Sequence, residues 1–200
     1  MKLRSTLSPK LTMRRSLVPI LLIVCAFAAF PPILRELFSV KLPVAEFVAH
    51  HSTRALTDFT FSQGSTRNLR LDDFHGTLIL VNVWATWCRP CQEEMASLNH
   101  LALLLANKDI KIIPISIDVS GTVAVRSFYE RLELNNLSIY VDPSKNVMGA
   151  LGVTGIPTTI LIGRDGREIG RVVGPAQWDA PESVKHLMEL TGQYPPNAPR

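Results

Sequence analysis

Two cysteines, Cys88 and Cys91, are separated by two residues and lie between an apolar run and a helix-like stretch. The run at 78–84 is short, β-branched and bounded by turn residues, which predicts a buried strand. A cysteine at a strand-to-helix junction lies at the helix N-terminus, where free backbone N–H groups and the helix dipole stabilise a thiolate. The spacing therefore predicts a dithiol–disulfide exchange centre, with Cys88 as the nucleophile and Cys91 as the resolving thiol.

A zinc site and a purely structural disulfide are the alternative roles for this pair. Zinc usually takes four ligands, with a second Cys or His pair at short spacing. The remaining cysteine, Cys25, lies in an apolar N-terminal run, and His50 and His51 are adjacent in a predicted linker. A structural bridge over two intervening residues would constrain the unfolded chain little. Redox chemistry is favoured, and no metal ion or other cofactor is expected.

The positive charge of the chain is concentrated at its N-terminus. The formal net charge is +4, and residues 1–15 carry five basic side chains and no acidic ones. The remainder has 16 basic and 17 acidic side chains. We therefore interpret 1–15 as a basic cytoplasmic arm, and the rest of the chain gives no electrostatic indication of nucleic-acid binding.

A stretch without formal charge, residues 16–34, follows the arm. As a helix it would reach about 28 Å, marginally enough to cross a hydrocarbon core. The basic arm places the N-terminus in the cytoplasm by the positive-inside rule, which predicts a single-pass anchor in a bacterial inner membrane with a periplasmic catalytic domain. The alternative is a signal peptide cleaved near Ala26-Phe27-Ala28, which would leave a soluble periplasmic protein. Either way the cysteines are exported, where thiols meet oxidants.

The remaining pattern predicts one domain. Residues 35–54 mix charges, proline and histidine without a clear period and are interpreted as a linker. The domain is predicted at 55–192, with an early hairpin, strands alternating with helices, a second hairpin at Arg164-Asp165-Gly166 and a last helix. This order indicates an α/β fold with a mixed central sheet. The Pro-rich residues 193–200 are predicted to be a flexible tail.

The segment Asn82-Val-Trp-Ala-Thr-Trp-Cys-Arg-Pro-Cys91, combined with Gly155-Ile-Pro-Thr158, resembles the thioredoxin superfamily. Within it the chain is similar to the membrane-anchored TlpA/ResA-like branch of bacterial thiol:disulfide oxidoreductases, including the segment Gly174-Pro-Ala-Gln-Trp178. The resemblance implies a thioredoxin-like three-layer fold preceded by an N-terminal hydrophobic helix. It also implies a reductase of disulfides in exported proteins that a membrane thiol-electron donor recharges. Cytochrome c or cytochrome oxidase biogenesis is the process it suggests.

The same resemblance implies which residues bind the substrate. The peptide between Ile156 and Pro157 would be cis and would face the dithiol, although an ordinary trans proline is the commoner form. Ile156 would then pair with the extended partner chain by strand addition. Trp87, which precedes the reactive cysteine, and Pro90, which lies between the two cysteines, complete the expected substrate-binding set.

Glu94 is the third candidate catalytic residue. On a helical wheel it falls on the apolar face with Cys91 and Leu98. A carboxyl buried there would have a raised pKa and could exchange protons with the resolving sulfur. Cytoplasmic thioredoxins carry a buried acid at the position of Asn82, whereas TlpA/ResA-like proteins often carry the helical glutamate. The alternative is a rim residue whose carboxyl reaches water.

Two other functions compete with disulfide reduction. A copper-binding metallochaperone would use both sulfurs as soft ligands for Cu(I), but such proteins usually need one more residue between the cysteines. A thiol peroxidase usually has Thr three residues before the reactive cysteine, where this chain has Ala85. The favoured function is therefore an extracytoplasmic protein-disulfide reductase.

Overall fold

The computed structural model describes residues 42–65 and 67–192. The predicted basic arm, the hydrophobic segment 16–34 and the tail 193–200 lie outside these ranges. Among the residues described, no helix is both long enough and apolar enough to cross a membrane.

The described part of the chain contains eight strands that form one mixed sheet. They are β1 (Val48–Arg54), β2 (Thr60–Gln63), β3 (Arg67–Arg70), β4 (Leu78–Trp84), β5 (Ile110–Ser116), β6 (Tyr140–Val141), β7 (Thr158–Ile162) and β8 (Glu168–Val173). Their order across the sheet is β1-β8-β7-β4-β5-β6-β2-β3. The central strand β4 is parallel to β5 and antiparallel to β7. The two predicted hairpins are confirmed as β2–β3 and β7–β8.

Helices follow the strands in the order that the sequence predicts. They are α1 (Arg89–Leu104), α2 (Thr122–Leu132), α3 (Asn146–Ala150) and α4 (Pro181–Gly192), and a short 3-10 helix, Leu71–Phe74, precedes β4. The parallel pair β4–β5 is connected through α1, as a parallel connection requires. The prediction of a mixed α/β fold is confirmed.

The central strand β4 places one polar side chain, that of Asn82, on a face of the sheet that helices cover. All seven of its residues are buried, which accounts for its continuous apolar sequence. Alternation along a strand places Asn82 and Trp84 on the same face. Trp84 packs against Phe128 and Tyr129 of α2, with ring centroids 5.2 and 5.9 Å apart. Asn82 is therefore an amide on a face that helices cover.

The domain begins earlier than the sequence predicts. Strand β1 pairs with β8, and a Cβ added to Gly170 of β8 would lie 2.9 Å from the carbonyl oxygen of Val48. The close approach of the two strands thus requires glycine there. Ala45 and Phe47 are buried in the core. The described part of the predicted linker, residues 42–54, is corrected to a part of the domain; its mixed polar sequence reflects an edge strand with one neighbour.

Candidate active site

Cys88 and Cys91 are joined by a disulfide at the N-terminus of α1. Cys88 is the residue that caps the helix, and its Sγ accepts a hydrogen bond from the backbone N–H of Cys91 at 3.3 Å. Pro90 lies in the first turn, where a missing N–H costs no helical hydrogen bond. In the reduced protein the same N–H and the helix dipole stabilise a thiolate on Cys88.

The two cysteines differ in their access to a partner protein. Cys88 retains 7% of its exposure, whereas Cys91 is fully buried. The neighbouring Trp87 is 63% exposed and adds an apolar surface beside the accessible sulfur. Arg89, the first intervening residue, forms a surface ion pair with Glu93 at 2.8 Å, a kind of pair that contributes little in water. The order of attack, Cys88 first and Cys91 second, stays a prediction, and the difference in exposure favours it.

The turn that leads into the cysteines is held by a buried carboxylate that the sequence analysis missed. Asp118 is 4% exposed, and its two oxygens accept hydrogen bonds from the backbone N–H and the hydroxyl of Thr86 at 2.8 and 2.6 Å. Ser116 donates to the same carboxylate at 2.6 Å. The available signal was position, since Asp118 follows β5 and the C-terminal ends of parallel strands meet at one edge of a sheet.

The loop before β7 lies against the disulfide. The Ile156–Pro157 peptide is cis, as the resemblance implies. The carbonyl oxygen of Ile156 lies 3.8 Å from Cys88 Sγ. The N–H of Gly174 donates to the carbonyl of Pro157 at 2.9 Å, and the hydroxyl of Thr158 donates to the carbonyl before Ile156 at 2.7 Å. The loop is thus fixed with a half-buried Ile156 beside the reactive sulfur.

Glu94 is fully buried, which excludes the rim position. Its Oε1 accepts a hydrogen bond from Asn82 Nδ2 at 2.8 Å, and its Oε2 accepts from the N–H of Ala176 and the indole N–H of Trp178, both at 2.9 Å. Burial raises the pKa of Glu94 to about 7, and the three donors oppose part of that rise. A carboxyl that titrates near neutral pH can both accept and return a proton.

The three partners of Glu94 come from two separate parts of the chain, strand β4 and the segment after β8. Asn82, which replaces the strand acid of cytoplasmic thioredoxins, also donates to Thr159 Oγ1 at 2.8 Å across the β4–β7 pair. Ala176 and Trp178 lie in the segment after β8. The sequence indicates that segment only through the family resemblance, and its link to Glu94 is formed only in the folded chain.

A family model described as Redoxin matches residues 51–187. Among relatives, the thiol-disulfide oxidoreductase ResA of Bacillus thuringiensis (strain Al Hakam) is 29% identical over 117 residues, which cover 58% of this chain and 66% of that protein. ResA of Geobacillus thermodenitrificans (strain NG80-2) is 34% identical over 110 residues, covering 55% and 62%. The match thus spans slightly less than two thirds of either relative.

Solved structures share the fold. The crystal structure of the exposed lipoprotein thioredoxin from Streptococcus pneumoniae strain TIGR4 superposes with a TM-score of 0.55 at 22% identity. The superposition covers 68% of this chain and 99% of that one. The predicted thioredoxin-like fold is therefore confirmed for the described domain.

Proposed function

This chain belongs to the redoxin family, and we propose that it is a thiol:disulfide oxidoreductase that reduces disulfides in exported proteins. One observation carries the proposal: Sγ of Cys88, the less buried of the two cysteines, lies at a helix N-terminus and 3.8 Å from the carbonyl oxygen of Ile156 in the cis-proline loop. A thiolate is stabilised there, and an extended client can approach the loop. The relatives named thiol-disulfide oxidoreductase ResA support the same chemistry.

The exchange proceeds in two steps. The Cys88 thiolate attacks one sulfur of the client disulfide, so that a mixed disulfide forms and one client thiolate leaves. Cys91 then loses its proton and attacks Cys88 Sγ, which releases the second client thiolate. Two electrons have moved to the client, its thiolates take up protons, and the Cys88–Cys91 disulfide is the product.

Glu94 is the group that accepts the proton of Cys91. The two residues lie one turn apart on the buried face of α1, where side chains three positions apart are neighbours. Because Cys91 is fully buried, water cannot readily reach its sulfur to accept the proton. A buried carboxyl with a pKa of about 7 can accept it instead.

The client is held as an extended strand beside Ile156. Main-chain hydrogen bonds to an exposed loop edge give affinity without demanding one client sequence. Trp87 and Pro90 supply exposed apolar contacts next to the client cysteine, since both lie at the surface before and within the first turn of α1.

The predicted topology and the resemblance to the TlpA/ResA-like branch support the cellular part of the proposal. The catalytic domain is periplasmic, a membrane thiol-electron donor returns it to the dithiol form, and its clients belong to cytochrome c or cytochrome oxidase biogenesis. Tethering to the inner membrane raises its effective concentration toward a donor in the same membrane.

A trapping experiment tests the function. Cys91→Ser, expressed with the native N-terminus, leaves Cys88 able to form the mixed disulfide but unable to release it. We expect covalent adducts with periplasmic proteins that contain paired cysteines, recovered from the membrane fraction. The Cys88→Ser, Cys91→Ser double variant is the control. Adducts that persist in the control contradict the assignment of Cys88, and recovery of the bait in the cytosol contradicts the topology.

The direction of exchange needs a separate measurement. Equilibration with glutathione buffers gives the reduction potential of the Cys88–Cys91 pair. A reductase is expected near the value of about −270 mV typical of thioredoxin rather than the about −120 mV of strong oxidants. A potential at the oxidising end contradicts the reductase assignment and leaves the dithiol chemistry in place.

A further inference from the structure

The chain segment 42–47, here called the N-terminal strap, is attached to the segment that follows β8. The N–H of Gln177 donates to the carbonyl of Pro43 at 2.7 Å. The N–H of Ala45 donates to Ser183 Oγ at 2.9 Å, and that hydroxyl donates to the carbonyl of Gln177 at 2.6 Å. These bonds join the strap to the start of α4 and to the residue before Trp178.

Trp178 connects the strap to the buried acid. Its side chain is 1% exposed. The ring of Phe47, the last residue of the strap, packs against it with centroids 6.1 Å apart and planes inclined by 59°. Its indole N–H donates to Glu94 Oε2 at 2.9 Å, and its backbone N–H donates to Ser97 Oγ at 3.1 Å. The indole is thus located by α1 and by the strap together.

We propose that Trp178 is a positioning residue for the dithiol exchange, and that the N-terminal strap holds it so that its indole fixes the carboxyl of Glu94 for proton exchange with Cys91. The inference deepens the proposed function and rests on it. It assigns a role in the chemistry to a chain segment that touches neither sulfur. Loosening the strap should therefore change the behaviour of Glu94 in the same direction as loss of the indole N–H.

Within the described residues, the groups that donate hydrogen bonds to the Glu94 carboxyl are all neutral. They are the amide of Asn82 from β4, the backbone N–H of Ala176 and the indole of Trp178. Each stabilises the ionised form, since each donates to a carboxylate oxygen. Loss of one donor therefore raises the pKa of Glu94 further.

The titratable groups on the elements around Glu94 interact with residues other than Glu94. On α1, Cys91 is the proton donor itself and Glu93 pairs with Arg89 at the surface. After β8, Asp179 pairs with His100 at 2.9 Å. On α4, His186 meets the edge of the Phe47 ring at a centroid distance of 6.1 Å. A Glu94→Gln background leaves all of these groups in place. Comparing the effect of a Trp178 substitution on the pH dependence with and without Glu94 therefore isolates the contribution of Glu94.

The first test removes the indole donor and keeps an aromatic ring. Full-length reduced protein is mixed with 5,5′-dithiobis(2-nitrobenzoate), and release of the second thionitrobenzoate is followed from pH 5 to 9, because that step requires attack by Cys91. In a plot of this rate against pH, the rising limb caused by ionisation of Glu94 should have its midpoint near pH 7 in the wild type. Trp178→Phe should shift it upward by about one pH unit, for one lost charge-assisted donor. In a Glu94→Gln background the same substitution should produce no shift.

The second test acts on the strap. Phe47→Ala should shift the limb in the same direction as Trp178→Phe. Phe59→Ala is the matched control, because Phe59 is also 7% exposed and its ring packs against Phe61 of β2. Far-ultraviolet circular dichroism checks that each variant is folded, and Phe47→Leu serves where truncation to Ala prevents folding.

Three results would overturn the inference: an unchanged limb in Trp178→Phe, an equal shift in the Glu94→Gln background, or equal shifts from the Phe47 and Phe59 variants. The outcome is distinguishable from failure of the proposed function. If the Cys91→Ser bait captures no client while the limb shifts as expected, the function fails and the positioning role stands. If clients are captured and the limb does not shift, the positioning role fails and the proposed function stands.

Discussion

The pKa of Glu94 predicts a pH dependence of stability that one substitution should remove. That pKa is raised from 4.5 to about 7 in the folded chain, chiefly because burial penalises the charge. A raised folded-state pKa means that the contribution of Glu94 is fully present below the unfolded value of 4.5 and is lost as the pH rises through about 7. Each pH unit between these values is worth about 1.4 kcal/mol, so the loss reaches about 3 kcal/mol above pH 7.

Urea unfolding of the oxidised protein, measured from pH 4.5 to 8, gives the free energy of unfolding at each pH. We expect the difference in unfolding free energy between wild type and Glu94→Gln to change by about 3 kcal/mol over this range, with the variant gaining relative to the wild type as the pH rises. Glu93→Gln, on the other side of the same helix, is the matched control and should keep the wild-type slope. Parallel curves for wild type and Glu94→Gln would refute the reasoning.

Three further outcomes are expected. Asp118→Ala should lower the free energy of unfolding by about 2 kcal/mol, because it leaves the donors of the turn before the cysteines unpaired; an unchanged urea midpoint contradicts this. Gly170→Ala should cost about 1–3 kcal/mol, since its Cβ meets the carbonyl of Val48, whereas Gly149→Ala, with open space around it, should be neutral or stabilising in the same assay. Trp87→Ala should keep the wild-type stability and reduce client capture by the trapping variant, which quantitative blotting of adducts checks.

The parts of the fold that the sequence predicts are those with a local pattern. Strand β4 is recognisable as a continuous apolar run between turn residues, and helix α1 because its apolar residues recur with the helical period. The β7–β8 hairpin carries a strong turn signal in Asp165-Gly166. Strand β1 lacks such a pattern. It becomes a strand because β8 offers an edge and Gly170 allows close approach, which are properties of the folded sheet.

The same distinction applies to the site. The cysteine spacing and the helical position of Glu94 are local, so both could be read before the structure. The groups that hold them are distant along the chain: Asp118 clamps the turn at Thr86, and Trp178 reaches Glu94 across 84 positions. A polar side chain that is paired only through tertiary contacts has no periodic signature, so its partners are apparent only in the folded structure.

The three donors to Glu94 are divided unequally between its oxygens, which determines where its proton resides. Oε2 accepts two N–H groups, from Ala176 and Trp178, so both of its lone pairs are engaged. Oε1 accepts one, from Asn82, and keeps a lone pair free. A proton on Oε2 would displace one of these N–H donors, so protonation at Oε1, on the side of the central strand, costs less. The two oxygens of the carboxyl thus differ: Oε2 is held by two N–H groups, whereas Oε1, which faces β4, is the favoured site for the exchanged proton.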